Sequence, residues 1–313
     1  MNQTLQLFKK FNPLFKRMSS SLPTITNDLL FNYKTYLFDA DGTLWHVNQP
    51  HPGAIQFIDN LLKKGKQVFI VTNNALRSEK KSLEKLVNLG FHGLNESNII
   101  TPNTVLIDFI KQNRHFIKKS IYLIGNEGTK EALEEGLGVE CFGTGPDPMP
   151  SDSLLFPQSI DLKREASAVV VSDDPHFNYI KLIKASNYLQ DPNCGFFITN
   201  EDAHFRTRSY FLPGTGCITA AVRTALLPRI PIVFGKPADG MARYLIDRYN
   251  VDPAKTIMIG DRLDTDIKFG NSNGFSTCWV KTGVNTVEDV RIAMEGEDPS
   301  LVPQFTIDFE QFS

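Results

Sequence analysis

The chain has 313 residues, which is long enough for one large domain or for two. Apolar residues make up 41% of it and charged residues 22%, an ordinary balance for a globular protein, and the formal net charge is −2. This charge excludes the broad basic excess of a nucleic-acid-binding protein, and no apolar run of about 18 residues predicts a transmembrane helix. We therefore expect no nucleic-acid partner and no membrane partner.

The N-terminal region and the cysteines bear on the compartment. Residues 1–30 are predicted to form a flexible extension, which is basic and contains no acid before Asp28. Such a start is typical of a mitochondrial transit peptide, although a solvated extension or initiation at Met18 explains it as simply. The cysteines are scattered without a CxxC pair, which favours reduced thiols over disulfides or a zinc site. We expect a cytoplasmic protein, with a mitochondrial location as the alternative.

Five short apolar segments, each ending in a polar or glycine-containing turn, are predicted to be strands. In chain order they lie in residues 34–42, 65–75, 230–237, 255–266 and 275–283. A last strand and a short helix are expected in residues 303–312. Continuous apolar strands that alternate with helical patterns predict a parallel sheet covered on both faces. The fold class is therefore α/β, with a doubly wound, Rossmann-like core.

The middle of the chain repeats this alternation on its own. Residues 105–206 contain strand–helix–strand patterns on both sides of a loop rich in Pro, Gly and Ser, residues 143–161. About a hundred residues can form an independent α/β domain. We therefore predict a core domain made of residues 31–104 and 207–313, interrupted by an inserted domain at residues 105–206. The segment KKSLEKLV, residues 80–87, predicts an exposed face of an amphipathic helix in the core.

Polar side chains follow the predicted core strands where each strand ends. In chain order these residues are Asp39 and Asp41, then Thr72, Asn73 and Asn74, then Lys236, and finally Asp261, Asp264 and Asp266. Ligands of an open parallel sheet bind at the carboxyl ends of its strands. If these strands are neighbours, the carboxylates, amides, hydroxyl and ammonium converge at one edge of the sheet.

This mixture of groups points to phosphoryl chemistry. Clustered carboxylates need a compensating cation, and hard oxygen ligands favour Mg²⁺. Thr72, the backbone N–H groups after it and Lys236 are donors suited to phosphate oxygens. Asp39 is the best-placed nucleophile and can form an aspartyl-phosphate, while Asp41 can serve as general acid and base.

Each motif taken alone has a simpler interpretation. Asp and Gly are common in turns and at helix N-caps, and Lys before Pro is usually only part of a turn. Four such elements in order, with a domain-sized gap between the second and the third, favour a catalytic site. A phospho-aspartate signalling domain remains the non-enzyme alternative, because receiver domains also combine strand-end acids with a Thr and a Lys. The large insertion and the second acid, Asp41, argue against it.

The four motifs FDADGTLW, VTNN, GKP and GDRLDTD resemble, in this order, those of haloacid dehalogenase-type phosphatases. The domain-sized insertion resembles the large α/β (C2-type) cap of some members. The segments PGTGCITAAV, TGVNTVEDV and VVVSDDPHFNYIKLIKASNYL are similar to the phosphoglycolate, pyridoxal phosphate and 4-nitrophenyl phosphatase group. The resemblance runs from about Tyr33 to the C-terminus.

The resemblance implies a role for each residue of the first two motifs. Asp39 would be the nucleophile and a Mg²⁺ ligand. Asp41 would be the general acid and base, and its backbone carbonyl would be a second ligand. Thr72 and Asn73 would bind the phosphoryl group, and Asn74 would support their loop.

The later motifs complete the implied activity. Lys236 would offset negative charge on nucleophile and phosphate, Asp261 would ligate Mg²⁺, and Asp266 would hold the metal's waters or the neighbouring loop. The chain would then be a Mg²⁺-dependent hydrolase of a small phosphorylated metabolite. The first substrate expectation is 2-phosphoglycolate, and pyridoxal phosphate or broad 4-nitrophenyl phosphatase activity is the alternative. Among relatives, dimers form through the cap, so a homodimer is expected by resemblance.

Two places depart from the pattern of the group. Ala75 stands where the group carries the Ser of "TNNS". Glu79 stands at the place of a later "SR". In the cap, Ser172 and Asp173 replace a Gly and an aromatic residue before Asp174. The cap tip helps to select the substrate in this family. We therefore expect Asp173 either to alter substrate preference or to disfavour an anionic tail by charge repulsion.

Overall fold

The computed structural model describes residues 22–148, 160–206 and 211–313. Most of the predicted N-terminal extension, and residues 149–159 of the predicted Pro/Gly/Ser loop, lie outside the described residues. Within the described part of the chain, no helix is long and apolar enough to cross a membrane. Two parallel sheets dominate the architecture, and helices pack against both.

The strands and helices alternate along most of the chain. The strands are β1 (Thr35–Phe38), β2 (Trp45–His46), β3 (Gln49–Pro50), β4 (Gln67–Val71), β5 (Ile99–Ile100), β6 (Ser120–Ile124), β7 (Cys141–Phe142), β8 (Ala166–Val171), β9 (Gly195–Ile198), β10 (His204–Arg206), β11 (Phe211–Pro213), β12 (Ile232–Val233), β13 (Thr256–Gly260), β14 (Ser276–Val280) and β15 (Phe305–Ile307). The α-helices are α1 (Asn27–Leu30), α2 (Ala54–Lys63), α3 (Glu79–Asn88), α4 (Pro102–Gln112), α5 (Glu127–Leu137), α6 (Tyr179–Tyr188), α7 (Thr215–Ala225), α8 (Gly240–Tyr249), α9 (Lys268–Ser272) and α10 (Val287–Glu295).

The first sheet has six strands in the order β15-β14-β13-β1-β4-β5. All of its pairings are parallel, and β1 lies between β13 and β4. All four residues of β1 are buried, as expected for a strand covered on both faces. The predicted doubly wound α/β core is confirmed, and so are the last strand, β15, and the short helical turn Phe309–Phe312 that follows it.

Aromatic residues hold helix α2 against one face of this sheet. Phe57 of α2 lies with its ring centroid 5.7 Å from that of Phe38 and 4.4 Å from that of Phe312. Such buried ring pairs contribute roughly 0.5–1.5 kcal/mol beyond the area that they bury. On the other face, Met241 and Leu245 of α8 pack with Leu37 of β1. The opposed layers fix the carboxyl end of β1.

The second sheet has five parallel strands in the order β12-β9-β8-β6-β7. Helix α4 joins the two sheets, because its Leu106 and Ile110 belong to an apolar cluster that also contains Phe69 of β4 and Val170 of β8. Helix α7 packs against the second sheet through Ile218 and Val222.

The segment at residues 230–237 was predicted to be the third core strand, and this prediction is wrong. Its strand, β12, pairs with β9 and so belongs to the second sheet. Local composition identifies an apolar strand but not the sheet that it joins. Because α7 and β12 both pack with the second sheet, we propose that the inserted domain ends near residue 233 instead of residue 206.

Candidate active site

Asp39 lies where the buried strand β1 ends. Its backbone N–H donates to the carbonyl of Ile259 in β13 at 2.9 Å, so parallel pairing continues one residue beyond β1. The chain then turns at Gly42 towards the hairpin formed by β2 and β3. The Asp39 side chain is therefore held at the carboxyl edge of the sheet, where it remains 13% exposed.

Lys236 places a buried cation between two carboxylates. Its Nζ lies 2.7 Å from Oδ1 of Asp39 and 2.6 Å from Oδ1 of Asp266, and its side chain is only 1% exposed. Burial by itself would lower the pKa of Lys236, but Asp266 and Asp39 outweigh that effect and raise the pKa above its usual range. Lys236 is therefore a fixed positive charge at this edge of the sheet.

Three carboxylates meet at this edge. Oxygen atoms of Asp39, Asp261 and Asp266 all lie within 4.8 Å of one another. Burial raises the pKa of Asp39 well above its usual range, against the lowering effect of Lys236. Burial and the neighbouring Asp266 raise the pKa of Asp261 to about 7. One ammonium does not compensate three carboxylates, so the cluster has the charge and the hard oxygen donors that fit a divalent cation such as Mg²⁺.

Two glycines allow Asp261 to occupy its position. Its Oδ2 accepts a 2.6 Å hydrogen bond from the N–H of Val284, and its Oδ1 lies 3.4 Å from the Thr43 hydroxyl. A Cβ on Gly283 would lie 1.9 Å from Oδ2 of Asp261, and one on Gly42 would lie 2.9 Å from the same oxygen. Gly42 also has a φ of 92°, which side-chain-bearing residues rarely adopt. Gly42 of the first motif, FDADGTLW, thus leaves space for the carboxylate of Asp261 in the fourth motif, GDRLDTD.

Asp266 is held within its own loop. It lies in the π-helical turn Leu263–Ile267, and its Oδ2 accepts from the backbone N–H of Arg262 at 3.0 Å. Its Oδ1 accepts from Lys236. Both oxygens of Asp266 are therefore engaged by the protein itself, and its supporting role stays a prediction.

The loop after β4 brings Thr72, Asn73 and Asn74 to the same edge. The Thr72 hydroxyl accepts from the N–H of Asn74 at 3.1 Å, and the Asn74 side-chain oxygen accepts from the N–H of Leu76 at 3.0 Å. These bonds shape a tight polar turn of the kind that Asn side chains favour. Thr72 is buried, and the bond from the Asn74 N–H holds its hydroxyl in this turn.

The Asn73 side chain is occupied by the protein itself. Its Nδ2 donates to the Lys236 carbonyl at 2.9 Å and to Oδ1 of Asp202 at 3.0 Å, and its Oδ1 accepts from the Lys236 N–H at 2.8 Å. These bonds use both donors of the amide and engage its oxygen. Any contact of Asn73 with a phosphoryl group is therefore expected to come from its backbone.

Asn200 and Asp202 belong to this network and were missed in the sequence. Asn200 Nδ2 donates to the Asn73 carbonyl at 3.0 Å, and Asp202 accepts from the Asn73 amide. Burial raises the pKa of Asp202, while Arg262 and the bond from Asn73 oppose that shift. The sequence carries a signal for both residues, because the polar run TNED directly follows the apolar strand β9, but this strand lies in the predicted insertion and not in the predicted core sheet.

Asp41 stands apart from the carboxylate cluster. Its side chain is 51% exposed, and its Oδ1 accepts from Nε1 of Trp45 at 2.7 Å and from Nζ of Lys85 at 3.1 Å. Lys85 is on α3, in the segment predicted to be an exposed helix face. That prediction is wrong for Lys85, whose side chain is only 18% exposed because it reaches across to Asp41.

Ser172 and Asp173, the cap residues that differ from the pattern of the group, lie in a segment that contacts the loop after β4 indirectly. The hydroxyl of Ser172 lies 3.1 Å from that of Thr129, which donates to the Ala75 carbonyl at 3.0 Å. Asp174 forms a fully buried ion pair with Lys181 at 2.5 Å. Asp173 is half-buried, and burial followed by the charge of Asp174 raises the pKa of its carboxyl. Ser172 and Asp174 therefore have structural partners, and the effect of Asp173 on substrate preference stays a prediction.

Two family models match the chain. The model described as haloacid dehalogenase-like hydrolase matches residues 36–139, and the one described as HAD-hydrolase-like matches residues 233–305. These ranges contain every polar strand-end residue named from the sequence.

Curated relatives match most of the chain. A Caenorhabditis elegans protein named as a NipSnap protein is 47% identical over 79% of this chain, which spans only 48% of that protein. Glycerol-3-phosphate phosphatase of Rattus norvegicus is 35% identical over 90% of this chain and 89% of its own. Phosphoglycolate phosphatase 2 of Arabidopsis thaliana is 35% identical over 80% of this chain and 84% of its own.

Solved structures share the architecture. A p-nitrophenyl phosphatase from Archaeoglobus fulgidus superimposes with a TM-score of 0.74 at 26% identity, covering 90% of this chain and 98% of its own. A glycerol phosphate phosphatase from Mycobacterium tuberculosis, solved in complex with magnesium, superimposes with a TM-score of 0.71 at 25% identity, covering 90% of this chain and 76% of its own.

Proposed function

The chain belongs to the haloacid dehalogenase-like hydrolase family and is a phosphatase, and we propose that it hydrolyses small phosphomonoesters with Mg²⁺ through an aspartyl-phosphate on Asp39. The observation that carries the proposal is the meeting of Asp39, Asp261 and Asp266 with the buried ammonium of Lys236. The donor-rich loop beginning at Thr72 comes from the neighbouring strand β4. The proposed nucleophile, the proposed metal ligands and the proposed phosphate donors thus come from neighbouring strands of one sheet.

The residues proposed to hold Mg²⁺ are Asp39, Asp261 and the backbone carbonyl of Asp41. A bound Mg²⁺ supplies positive charge that offsets repulsion between a carboxylate nucleophile and a phosphate. Asp266 engages Lys236 and the backbone of Arg262, so its part is to keep Lys236 and the fourth-motif loop in place.

The proposed reaction has two steps that balance. In the first, a carboxylate oxygen of Asp39 bonds to phosphorus, the bond from phosphorus to the leaving oxygen breaks, and Asp41 gives that oxygen a proton. In the second, a water oxygen bonds to phosphorus while Asp41 takes its proton. The bond between phosphorus and Asp39 then breaks and releases inorganic phosphate. Lys236 offsets the negative charge of Asp39 and of the phosphoryl group throughout.

The proposed substrates are short alkyl phosphates. 2-Phosphoglycolate remains the first expectation, and the named relatives add glycerol 3-phosphate as a second. Pyridoxal phosphate and 4-nitrophenyl phosphate remain alternatives, the latter supported by the name of the Archaeoglobus structure. Asp173 is the residue proposed to alter this preference. If its charge repels an anionic leaving group, 2-phosphoglycolate is hydrolysed more slowly than glycerol 3-phosphate, and a direct comparison of the two esters measures this.

Three expectations from the sequence stay predictions. They are the homodimer formed through the cap, the cytoplasmic location and its mitochondrial alternative. The signalling-domain alternative is not retained, because the relatives that match most of their own length are named phosphatases.

A phosphate-release assay tests the proposal. Purified protein is given 2-phosphoglycolate, glycerol 3-phosphate, pyridoxal phosphate and 4-nitrophenyl phosphate, each with Mg²⁺ and with excess chelator. We expect many turnovers of at least one ester with Mg²⁺, little release with chelator, and loss of turnover in Asp39→Asn. Full turnover by Asp39→Asn, or equal rates with chelator, would contradict the proposed mechanism.

A further inference from the structure

We propose that Lys85 is a positioning residue that orients Asp41 for proton transfer to the leaving oxygen. The inference rests on the proposed function, in which Asp41 is the general acid. The sequence motif that contains Asp41 does not include Lys85, which lies 44 residues later on α3.

The turn that carries Asp41 leaves its side chain in need of external support. Asp41 and Trp45 form an isolated β-bridge, and the N–H of Gly42 donates to the Trp45 carbonyl at 2.8 Å. These bonds fix the backbone of the turn. They do not fix the half-exposed carboxylate, which is held by Nε1 of Trp45 and Nζ of Lys85.

Lys85 is itself held in place by the same tryptophan. Its Nζ lies 4.6 Å from the centre of the Trp45 ring, and the Trp45 side chain is buried. A cation over an aromatic face gains roughly 0.5–1 kcal/mol or more as it loses water. The ammonium therefore contacts both the ring and the carboxylate, and the three side chains form one unit.

The arrangement treats the two carboxylate oxygens differently. Both hydrogen bonds fall on Oδ1, and within residues 22–148, 160–206 and 211–313 no hydrogen bond reaches Oδ2 of Asp41. An acid whose one oxygen is anchored presents the other in a fixed direction. Oδ2 is then the oxygen that gives its proton to the leaving oxygen as the bond from phosphorus to that oxygen breaks.

The leaving group supplies the test. An alkoxide leaves only with help from an acid, whereas 4-nitrophenolate leaves without one, so loss of aligned Asp41 should affect alkyl phosphates selectively. Lys85→Met keeps most of the apolar stem over Trp45 and removes the charge. We expect it to lower kcat/KM for glycerol 3-phosphate about tenfold and to leave kcat/KM for 4-nitrophenyl phosphate within about twofold.

Three further variants make the result decisive. Lys85→Arg keeps a donor and should restore much of the alkyl phosphate activity. Lys81→Met is the matched control on the same helix, because Lys81 is exposed and pairs with Glu131. This variant should leave kcat/KM unchanged for both esters. Asp41→Asn removes the acid itself. It should lower kcat/KM for glycerol 3-phosphate more than Lys85→Met does, again with a smaller effect on 4-nitrophenyl phosphate.

The outcomes separate the inference from the function on which it rests. Suppose that Asp41→Asn lowers kcat/KM selectively for alkyl phosphates, whereas Lys85→Met lowers it for both esters equally or for neither. The proposed role of Lys85 is then overturned, and the proposed function is not. Faster alkyl phosphate turnover by Lys85→Met would show that Lys85 holds Asp41 away from the reaction, which also overturns it. If Asp41→Asn itself shows no selectivity, Asp41 is not the acid, and the proposed mechanism fails together with the inference.

Discussion

Replacing Asp261 with Asn should stabilise the metal-free protein while abolishing its response to Mg²⁺. Asp261 is almost fully buried beside two other carboxylates, and its pKa is raised to about 7. The amide has the same shape without the charge. Turned so that its oxygen accepts from the Val284 N–H, it directs its NH₂ group towards the Thr43 hydroxyl, so both existing contacts keep a partner.

The size of the effect follows from the pKa of Asp261. A folded value of about 7 against an ordinary value of 3.8 is a shift of about three units, and each unit corresponds to about 1.4 kcal/mol. The folded value is the higher one, so the favourable contribution of Asp261 is fully present below about pH 4 and is lost as the pH rises through about 7. In chelator, the free energy of unfolding of Asp261→Asn should therefore be higher than that of the wild type by up to about 4 kcal/mol at pH 8. The difference should be much smaller at pH 4.5.

Urea unfolding measures this difference directly. Both proteins are unfolded in excess chelator at several pH values, and the series is repeated with Mg²⁺, which should stabilise only the wild type. Asp264→Asn is the matched control, because Asp264 lies in the same loop but is 62% exposed. A lower free energy of unfolding for Asp261→Asn than for the wild type at pH 8 in chelator would contradict this expectation. Equal stabilisation of both proteins by Mg²⁺ would contradict it as well.

Three further substitutions probe the same edge. Lys236→Met leaves two buried carboxylates without their cation, so unfolding in urea should show a loss of about 3–5 kcal/mol; unchanged stability would contradict this. Gly283→Ala places a Cβ 1.9 Å from the Asp261 carboxylate, so half-maximal activity should need more Mg²⁺, and an unchanged requirement would disprove the crowding. Asp202→Ala removes an acceptor from the Asn73 amide and should cost about 1–3 kcal/mol in thermal unfolding, whereas Asp202→Asn should cost less.

The strand-end residues could be predicted because topology brings them together. Asp39 and Asp261 follow β1 and β13, which are neighbours in a parallel sheet, so their convergence required only the fold class. Lys236 lies at the same edge, beside Asp39 and Asp266, although its strand, β12, was predicted to belong to the other sheet. The position of Lys236 does not depend on this assignment, because the chain after β12 returns to the core. There the Asn73 side chain accepts from the Lys236 N–H and donates to the Lys236 carbonyl.

The residues that were missed depend on contacts between distant segments. Asp202 supports the loop after β4 from a separate sheet, and nothing local at Asn73 identifies its partner. Lys85 is part of a regular helical pattern, which predicts a surface but not which surface position faces a carboxylate 44 residues away. Pattern analysis therefore finds what secondary structure positions, and misses what tertiary packing adds.

In the proposed mechanism, Asp39 becomes phosphorylated during turnover. The most direct test of this step uses Asp41→Asn, in which 4-nitrophenolate can still leave but the water attack lacks its base, so the intermediate should accumulate. After incubation with 4-nitrophenyl phosphate and Mg²⁺, acid quenching and peptide mass spectrometry should find one added phosphoryl group on Asp39. The matched control is the double variant that also carries Asp39→Asn, which should show none. Phosphate release by Asp41→Asn without any labelled Asp39, or a phosphoryl group on another residue, would contradict the account.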